Sequence, residues 1–349
     1  MPSVPQGSLV LLTGASGFIA VHVLRILLEQ GYKVRGTVRS AEKGDWLVKK
    51  FSGGNFDYVI VEDLEKEGGF DDAVKGVDAV LHTASPFHGN ITTGIYQDLI
   101  NPALNGTKNV LKSIKTHGDK VKRVVVTSSF AAVVNTLQKP VYTFTEKDWN
   151  ETSPKMVEEQ GDKVDAMQAY RTAKTWAERA AWKFVEEEKP SWDLVTVNPP
   201  FVLGPIEHQV TKPESLNTSV AAWWAFLSGK KSGDEAQVPA GNEVDVRDLA
   251  LAHVRAIMIE EAGNNRFAIS KQAYSWQDAL DIANTNEEIK KAFPKLPVGK
   301  PGAGADIKQN LYDASKSKEV LKLDYKSLED TIIDMSLSLA KRQAAGWSE

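Results

Sequence analysis

No cysteine occurs among the 349 residues. Disulfides, thiolate metal sites and a cysteine nucleophile are excluded together, and nothing points to an oxidising compartment. Long apolar runs are missing as well. Leu9–Leu12 is far too short for a signal peptide or a membrane span, and Met1–Ser8 has neither a basic nor an apolar leader region. Positive charge is not in excess: 42 Lys and Arg against 46 Asp and Glu give a net charge of −4, so there is no basic footprint for DNA or RNA. The six histidines show no metal-ligand spacing, and no His-x-x-x-His or paired-carboxylate motif suggests zinc. Internal repeats and low-complexity tracts are absent. The expectation is a cytoplasmic monomer or homodimer with a small-molecule partner and no nucleic acid, membrane or metal. In that setting the Asn-x-Ser/Thr triplets at Asn90, Asn105, Asn150 and Asn217 read as chance.

What is present is an ordinary globular composition, 42% apolar and 25% charged. The length suits one large α/β domain with an added lobe, or two small domains. Through the first two hundred residues short apolar runs alternate with helical patterns, as in a parallel sheet covered on both faces. Strands are predicted at Ser8–Thr13, Lys33–Val38, Tyr58–Val61, Ala79–Thr83, Val121–Ser128 and Leu194–Asn198. Helices are predicted at Gly17–Gln30 and Tyr170–Glu188. Beyond Pro199 the chain turns rich in Gly, Pro and Trp, then resumes a strand end and helix over Glu243–Ile259 and a last strand at Arg266–Ser270. A Pro/Gly-rich loop, Lys295–Ala305, precedes a C-terminal helix. The expected fold is α/β, a Rossmann-type doubly wound parallel sheet (1–199 plus 243–270) with a smaller lobe (200–242 plus 271–349).

The first strand–helix junction reads Thr13-Gly14-Ala15-Ser16-Gly17-Phe18-Ile19-Ala20. Glycines there let the backbone approach a pyrophosphate, whose charge is favoured at a helix N-terminus. Gly-x-x-Gly alone is common in ordinary turns; its position at the first junction of an alternating chain points to a dinucleotide. An NAD site usually places an acid about 20 residues beyond the glycines. Between Tyr32 and Ala41 there is none; Arg35, Arg39 and then Lys43 stand there instead. A guanidinium matches a phosphate in charge and fork geometry. Strand alternation puts Arg35 and Arg39 on one side, and only Arg39 at the carboxyl end where ligands bind. Arg39 and Lys43 are therefore expected to hold a 2′-phosphate, hence NADPH or NADP+, against the plainer reading of a solvated basic loop.

Tyr170-Arg171-Thr172-Ala173-Lys174 puts a phenol and an ammonium one helical turn apart. The ammonium is expected to lower the phenol's pKa and so tune it as a proton donor. Upstream, Thr127-Ser128-Ser129 ends a predicted strand and offers a hydroxyl. The motif is short, and the chain holds a second copy, Tyr312-Asp313-Ala314-Ser315-Lys316. Context favours the first, which lies between two predicted strands; the second follows a loop near the C-terminus.

These segments resemble the extended short-chain dehydrogenases/reductases, in the branch of dihydroflavonol reductases and fungal NADPH-dependent aldehyde and carbonyl (methylglyoxal) reductases. The resemblance spans nearly the whole chain. It rests on Thr13–Ala20, Thr83-Ala84-Ser85-Pro86, Asn105-Gly106-Thr107, Val126–Ser129, Tyr170 with Lys174, Asn198–Pro205 and Val244–Asp248. It implies that Tyr170 donates a proton, that Lys174 holds the nicotinamide ribose, and that Ser129 is the catalytic serine, with Ser128 facing the other way. Gly14, Ser16, Gly17, Phe18, Ile19, Asp63, Leu64, Thr83, Ala84, Ser85, Thr127, Pro199, Val202 and Ser219 would line the cofactor path. Phe87, Phe130, Met167 and Phe201 would surround the substrate. Trp223 or Trp224 would either line the same pocket or belong to the core. Many extended members carry an Asn where this chain has Ala103. The implied activity is reduction of aldehydes or ketones. The alternatives are a nucleotide-sugar epimerase or dehydratase, a steroid- or flavonoid-type reductase, and an inactive NADP-sensing scaffold. Residues 200–242 offer Trp and Phe but few basic residues, which argues against a diphosphate substrate.

Overall fold

The computed structural model describes residues 4–85 and 91–347. The chain runs β1 (Leu9–Thr13), α1 (Phe18–Glu29), β2 (Lys33–Val38), α2 (Ala41–Lys50), β3 (Phe56–Ile60), β4 (Ala79–His82), α3 (Asn101–His117) and β5 (Arg123–Thr127). It continues through β6 (Thr143–Phe144), α4 (Thr152–Gln160), α5 (Ala166–Glu188), β7 (Asp193–Asn198), β8 (Phe201–Leu203), α6 (Thr218–Leu227), β9 (Pro239–Asp245), α7 (Val246–Met258) and β10 (Asn265–Ala268). The last elements are β11 (Gln272–Ser275), α8 (Trp276–Thr285), α9 (Glu287–Ala292), β12 (Leu311–Tyr312), α10 (Ser315–Val320) and α11 (Leu328–Ala344).

Seven strands form one parallel sheet in the order β10-β7-β5-β4-β1-β2-β3. Period-two alternation assigns its side chains to two layers. Leu11, Val80, Val124, Val126 and Leu194 meet Val110, Leu111 and Ile114 of α3 on one face. Val10, Leu12, Leu81, Val125 and Val195 meet α1 and α7 on the other. The fold is a doubly wound Rossmann-type sheet. The strand order reverses between β1 and β4, and the crevice for a ligand lies outside the carboxyl ends of the strands at that point. At the opposite, amino end, fully buried Arg123 pairs with Asp193 at 2.6 and 2.9 Å and donates to the carbonyls of Ala256, Ile259 and Glu260.

Two small sheets sit beside the large one. β9 pairs antiparallel with β11 and parallel with β8, and β12 pairs parallel with β6. Among the described residues no helix is long and apolar enough to cross a membrane.

Strand β9 carries a buried acid without a counterion bond. Glu243 is 1% exposed, and neither carboxylate oxygen has a hydrogen-bond partner among the described residues. Burial, with Asp245 and Asp248 adding to it, pushes its carboxyl up to about 8. The folded state thus keeps a proton that the unfolded chain releases at ordinary carboxylate pH. Stability from this group is intact at acid pH and is lost as pH rises from the usual carboxylate range to about 8. Glu243→Gln is therefore expected to raise Tm by a few degrees at pH 8 and to match the native protein near pH 5. Equal melting curves at both pH values would refute this.

Candidate active site

The turn after β1 is built for close approach. Gly14 has φ +65°, and a Cβ there would come within 3.0 Å of the Ala84 Cα. Only glycine fits both demands. Its N–H donates to Thr37 Oγ1 at 3.1 Å. The Thr13 hydroxyl accepts from the Ala84 N–H at 3.1 Å and shares a hydrogen bond with His82 Nδ1 at 2.9 Å. Thr83 Oγ1 donates to the Thr13 carbonyl at 2.5 Å. Buried His82 stays neutral, its pKa drawn down to about 3 by burial. These bonds lock the β1 turn, with Ser16 and Gly17, beside Thr83, Ala84 and Ser85. Helix α1 then starts at Phe18 and Ile19 with Gly17 as an N-cap that makes no side-chain bond, and its first turn holds no acid. Its open N–H groups and positive end suit an anion.

Arg39 directly follows β2, is exposed, and makes no hydrogen bond or ion pair among the described residues. Arg35 is turned elsewhere, donating to the carbonyls of Ala73 and Lys75 at 3.1 and 2.9 Å. Lys43, in the first turn of α2, is not free: its Nζ donates to Gln209 Oε1 at 2.7 Å. Asp63 lies exposed beyond β3 and accepts from the Glu65 N–H at 2.8 Å. Leu64 packs where a Cβ on Gly106 would stand 3.3 Å away, and Asn109 holds its carbonyl at 3.1 Å. The Asn105-Gly106-Thr107 segment thus lets α3 come close to the loop after β3.

At the end of β5 two serines part. Ser128 Oγ points behind the sheet end and donates to Glu178 Oε2 at 2.5 Å. Ser129 Oγ accepts from the Ala131 N–H at 3.1 Å and lies 3.5 Å from the Pro199 carbonyl. The Tyr170 phenol hydrogen-bonds with the Ser129 side chain. One turn on, Lys174 Nζ donates to the Thr127 carbonyl at 3.4 Å. The Thr127 hydroxyl instead donates to His253 Nε2 at 2.7 Å, because His253 Nδ1 must donate to the Leu249 carbonyl. The expected lowering of the phenol by Lys174 is not found. Burial raises the Tyr170 pKa, and only the Ser129 bond opposes it. Burial also lowers Lys174 to about 8, against the charge of Glu178.

Pro199 directly follows β7, and Val202 lies in β8. The Pro199 carbonyl accepts from the Phe130 N–H at 2.8 Å, and the Val202 carbonyl accepts from Ser219 Oγ at 2.5 Å. The ring of Phe130 lies tilted against Tyr312 at 4.3 Å and meets Phe144 edge-on at 5.6 Å. Phe201 meets Trp276 edge-on at 5.9 Å, and Met167, three residues before Tyr170, is 49% exposed. Phe87 lies outside the described residues. Trp223 belongs to the core: it is fully buried, stacks on Trp276 at 6.2 Å and donates to Ser336 Oγ at 2.9 Å. Trp224 packs on Phe293 and Trp347. Ala103 is buried within α3.

The second Tyr-x-x-x-Lys pair has a different setting. Tyr312 is buried behind Phe130, its hydroxyl without a partner among the described residues, and Lys316 faces Glu146 at 3.9 Å. Sequence reasoning missed Glu178, although it stands at the same helical spacing after Lys174 as Lys174 after Tyr170. Among the described residues no group of three or more His, Asp or Glu is placed to hold a metal ion.

Residues 10–270 match the model of the NAD dependent epimerase/dehydratase family. The chain is 37% identical to the NADPH-dependent methylglyoxal reductase of Saccharomyces cerevisiae, over 95% of this chain and 98% of that protein. It is 38% identical to a ketoreductase of Aspergillus niger, over 95% and 98%. The crystal structure of yeast methylglyoxal/isovaleraldehyde reductase complexed with NADPH superposes with a TM-score of 0.87 at 36% identity, over 96% of this chain and 99% of that one. The glycine turn at the strand-order reversal and the phenol over the neighbouring strand end are thus held in a chain that belongs to the NAD dependent epimerase/dehydratase family, the extended short-chain dehydrogenases/reductases.

Proposed function

We propose that this protein is an NADPH-dependent carbonyl reductase that converts aldehydes and ketones to alcohols, acting as a cytosolic monomer or homodimer. The observation that carries this reading is the Tyr170 phenol, hydrogen-bonded to Ser129 with Lys174 one turn away, beside an open glycine turn. Two relatives that align over nearly all of the chain are a methylglyoxal reductase and a ketoreductase by name.

The cradle fits the cofactor. Gly14 leaves room that a Cβ would fill, the N-terminus of α1 is uncapped, and Arg39 has no partner among the described residues. Gly14, Ser16, Gly17, Phe18 and Ile19 would face the pyrophosphate. Arg39 would take the 2′-phosphate, with Lys43 reaching it on release from Gln209. Asp63 and Leu64 would border the adenine; Thr83, Ala84, Ser85, Thr127, Pro199, Val202 and Ser219 would flank the path to the nicotinamide. When bound, NADPH supplies the hydride.

The chain's own groups handle the oxygen. Ser129 holds the substrate carbonyl oxygen, and Tyr170 donates its proton to that oxygen as negative charge develops. The raised Tyr170 pKa keeps the phenol protonated at neutral pH, so the proton is in place for donation. Lys174 sets a positive charge near the nascent alkoxide and holds the ribose.

An epimerase or dehydratase would need basic groups for a sugar diphosphate. Residues 200–242 offer only Lys212, Lys230 and Lys231, which supports the carbonyl reading. A panel of aldehydes, α-diketones, β-ketoesters and nucleotide sugars tests the choice. NADPH consumption with the carbonyls alone is expected; turnover of nucleotide sugars without net cofactor consumption would overturn it.

Phe130 joins Ser129 to the aromatic group around Tyr312. Phe130→Ala is expected to favour bulkier ketones and to change product chirality. An unchanged substrate profile with unchanged chirality would make Phe130 packing alone.

A further inference from the structure

Helix α5 carries a third polar group on the face of Tyr170 and Lys174. Glu178 follows Lys174 by four residues, which places it on the same stripe. It is 1% exposed, and its carboxylate collects donors from three strands. Ser128 Oγ donates to it at 2.5 Å from the end of β5. Asn198 Nδ2 and Thr196 Oγ1 donate at 2.7 and 2.9 Å from β7. Arg266 Nε donates at 2.6 Å from β10, and its guanidinium lies 3.7 Å from the centroid of the Trp149 ring.

Two of these bonds reach the site through the backbone. Ser128 is the residue before Ser129, and Asn198 also donates to the Ser129 carbonyl at 3.3 Å. The peptide that presents Ser129 is thereby tied on both sides to one carboxylate. A buried ion pair is weak evidence for stability, since well-packed apolar side chains commonly do as well. Its place here, against the strand ends that form the site, calls for another account.

We propose that Glu178 is a positioning residue for the reduction: it clamps the Ser128–Ser129 strand end to β7 and sets an anion one helical turn behind Lys174. The inference rests on the roles given above to Ser129, Tyr170 and Lys174. The groups facing Lys174 are Tyr170 and Glu178 on its own helix, neutral His82 from β4 and the Thr127 carbonyl from β5. Arg266 of β10 faces Glu178. Among these, Glu178 is the group that favours the charged ammonium.

The test uses the whole enzyme with NADPH and an aldehyde. Glu178→Gln keeps the side chain's shape and removes its charge. Turnover is expected to fall by about 10- to 100-fold, the effect of a small misplacement of reacting groups, with the aldehyde KM little changed. The alkaline limb of the kcat profile and the pH at which NADPH binding weakens, followed by protein fluorescence, both move to lower pH. Glu178→Asp keeps the charge and is expected to keep the limb near its native position. Ser128→Ala removes one clamp but not the anion, so it lowers kcat without moving the limb. Should Glu178→Gln fail to fold because Arg266 is left unpaired, the double variant with Arg266→Gln removes both charges and is expected to show the same shift. A folded Glu178→Gln or double variant with native kcat and an unmoved limb overturns the inference. If Tyr170→Phe is inactive in the same series, only the role of Glu178 falls; if Tyr170→Phe is active, the underlying reading falls with it.

Discussion

Tyr170→Phe is expected to lower kcat by about 10²–10⁴, the usual contribution of a positioned general acid, while fold and NADPH affinity persist. The substitution removes one hydroxyl and keeps the ring packed against the apolar cluster that includes Ile95 and Leu99. What is lost is the hydroxyl bonded to Ser129, the proposed proton donor. The loss should appear equally in kcat and kcat/KM, because the interaction strengthens in the transition state. The chain supplies its own control. Tyr312 starts a second Tyr-x-x-x-Lys pair, but its hydroxyl is buried without a partner among the described residues. Removing an unsatisfied buried hydroxyl is neutral or stabilising, so Tyr312→Phe is expected to leave kcat near native and Tm equal or higher. Steady-state kinetics and melting curves of both variants check this. An inactive Tyr312→Phe beside an active Tyr170→Phe would show that the wrong pair has been assigned.

Arg39→Asp is expected to weaken NADPH binding by about 10- to 100-fold. Hydrogen bonds to charged groups contribute about 1.5–3 kcal/mol, and each 1.36 kcal/mol is a factor of about ten. Arg39 stands exposed at the carboxyl end of β2 with no other partner among the described residues, so its removal disturbs no packing. NADH, with a neutral hydroxyl at that position, should change little, and the native preference for NADPH should shrink or reverse. Lys43 differs because it already holds Gln209 at 2.7 Å, so Lys43→Met should perturb the 205–210 loop as well as the cofactor. Dissociation constants for both cofactors, measured by fluorescence titration, check the contrast. Equal kcat/KM of the native enzyme with NADPH and NADH would remove the basis for the assignment.

How much of this was legible in the sequence follows from how local each signal is. The β1–turn–α1 unit is contiguous and periodic, and its predicted bounds of Ser8–Thr13 and Gly17–Gln30 lie within a residue of those found. Alternation puts Arg35 and Arg39 on one side of β2, and it is the place of Arg39 just past the carboxyl end of the strand that sets it apart; adjacency alone turns Ser128 and Ser129 opposite ways. The choice between the two Tyr-x-x-x-Lys pairs also rested on local order, since only one lies between two strands of the sheet.

The rest depended on contacts between distant segments. Glu178 looks like one more acid on a charged helix; its partners come from β5, β7 and β10, and nothing within the helix announces them. Tyr312 is brought to Phe130 by β6 and β12, two-residue strands too short for any periodicity to show. Trp223-Trp224 reads equally as core or pocket, and only the stack on Trp276 and the bond to Ser336 decide for Trp223. The phenol's environment was misjudged for a related reason. The spacing places Lys174 near Tyr170 but does not reveal that the ammonium turns to the Thr127 carbonyl while burial dominates the phenol.

The proposed reaction passes a hydride from NADPH to a carbonyl carbon on this protein. NADPH carrying deuterium at the transferable C4 position, incubated with the enzyme and an aldehyde, tests it most directly by mass spectrometry and NMR of the product. Deuterium is expected on the carbinol carbon, one per alcohol formed and one NADP+ per alcohol, with a single product configuration. Deuterium retained on the cofactor, or alcohol absent while the cofactor stays reduced, would contradict the account.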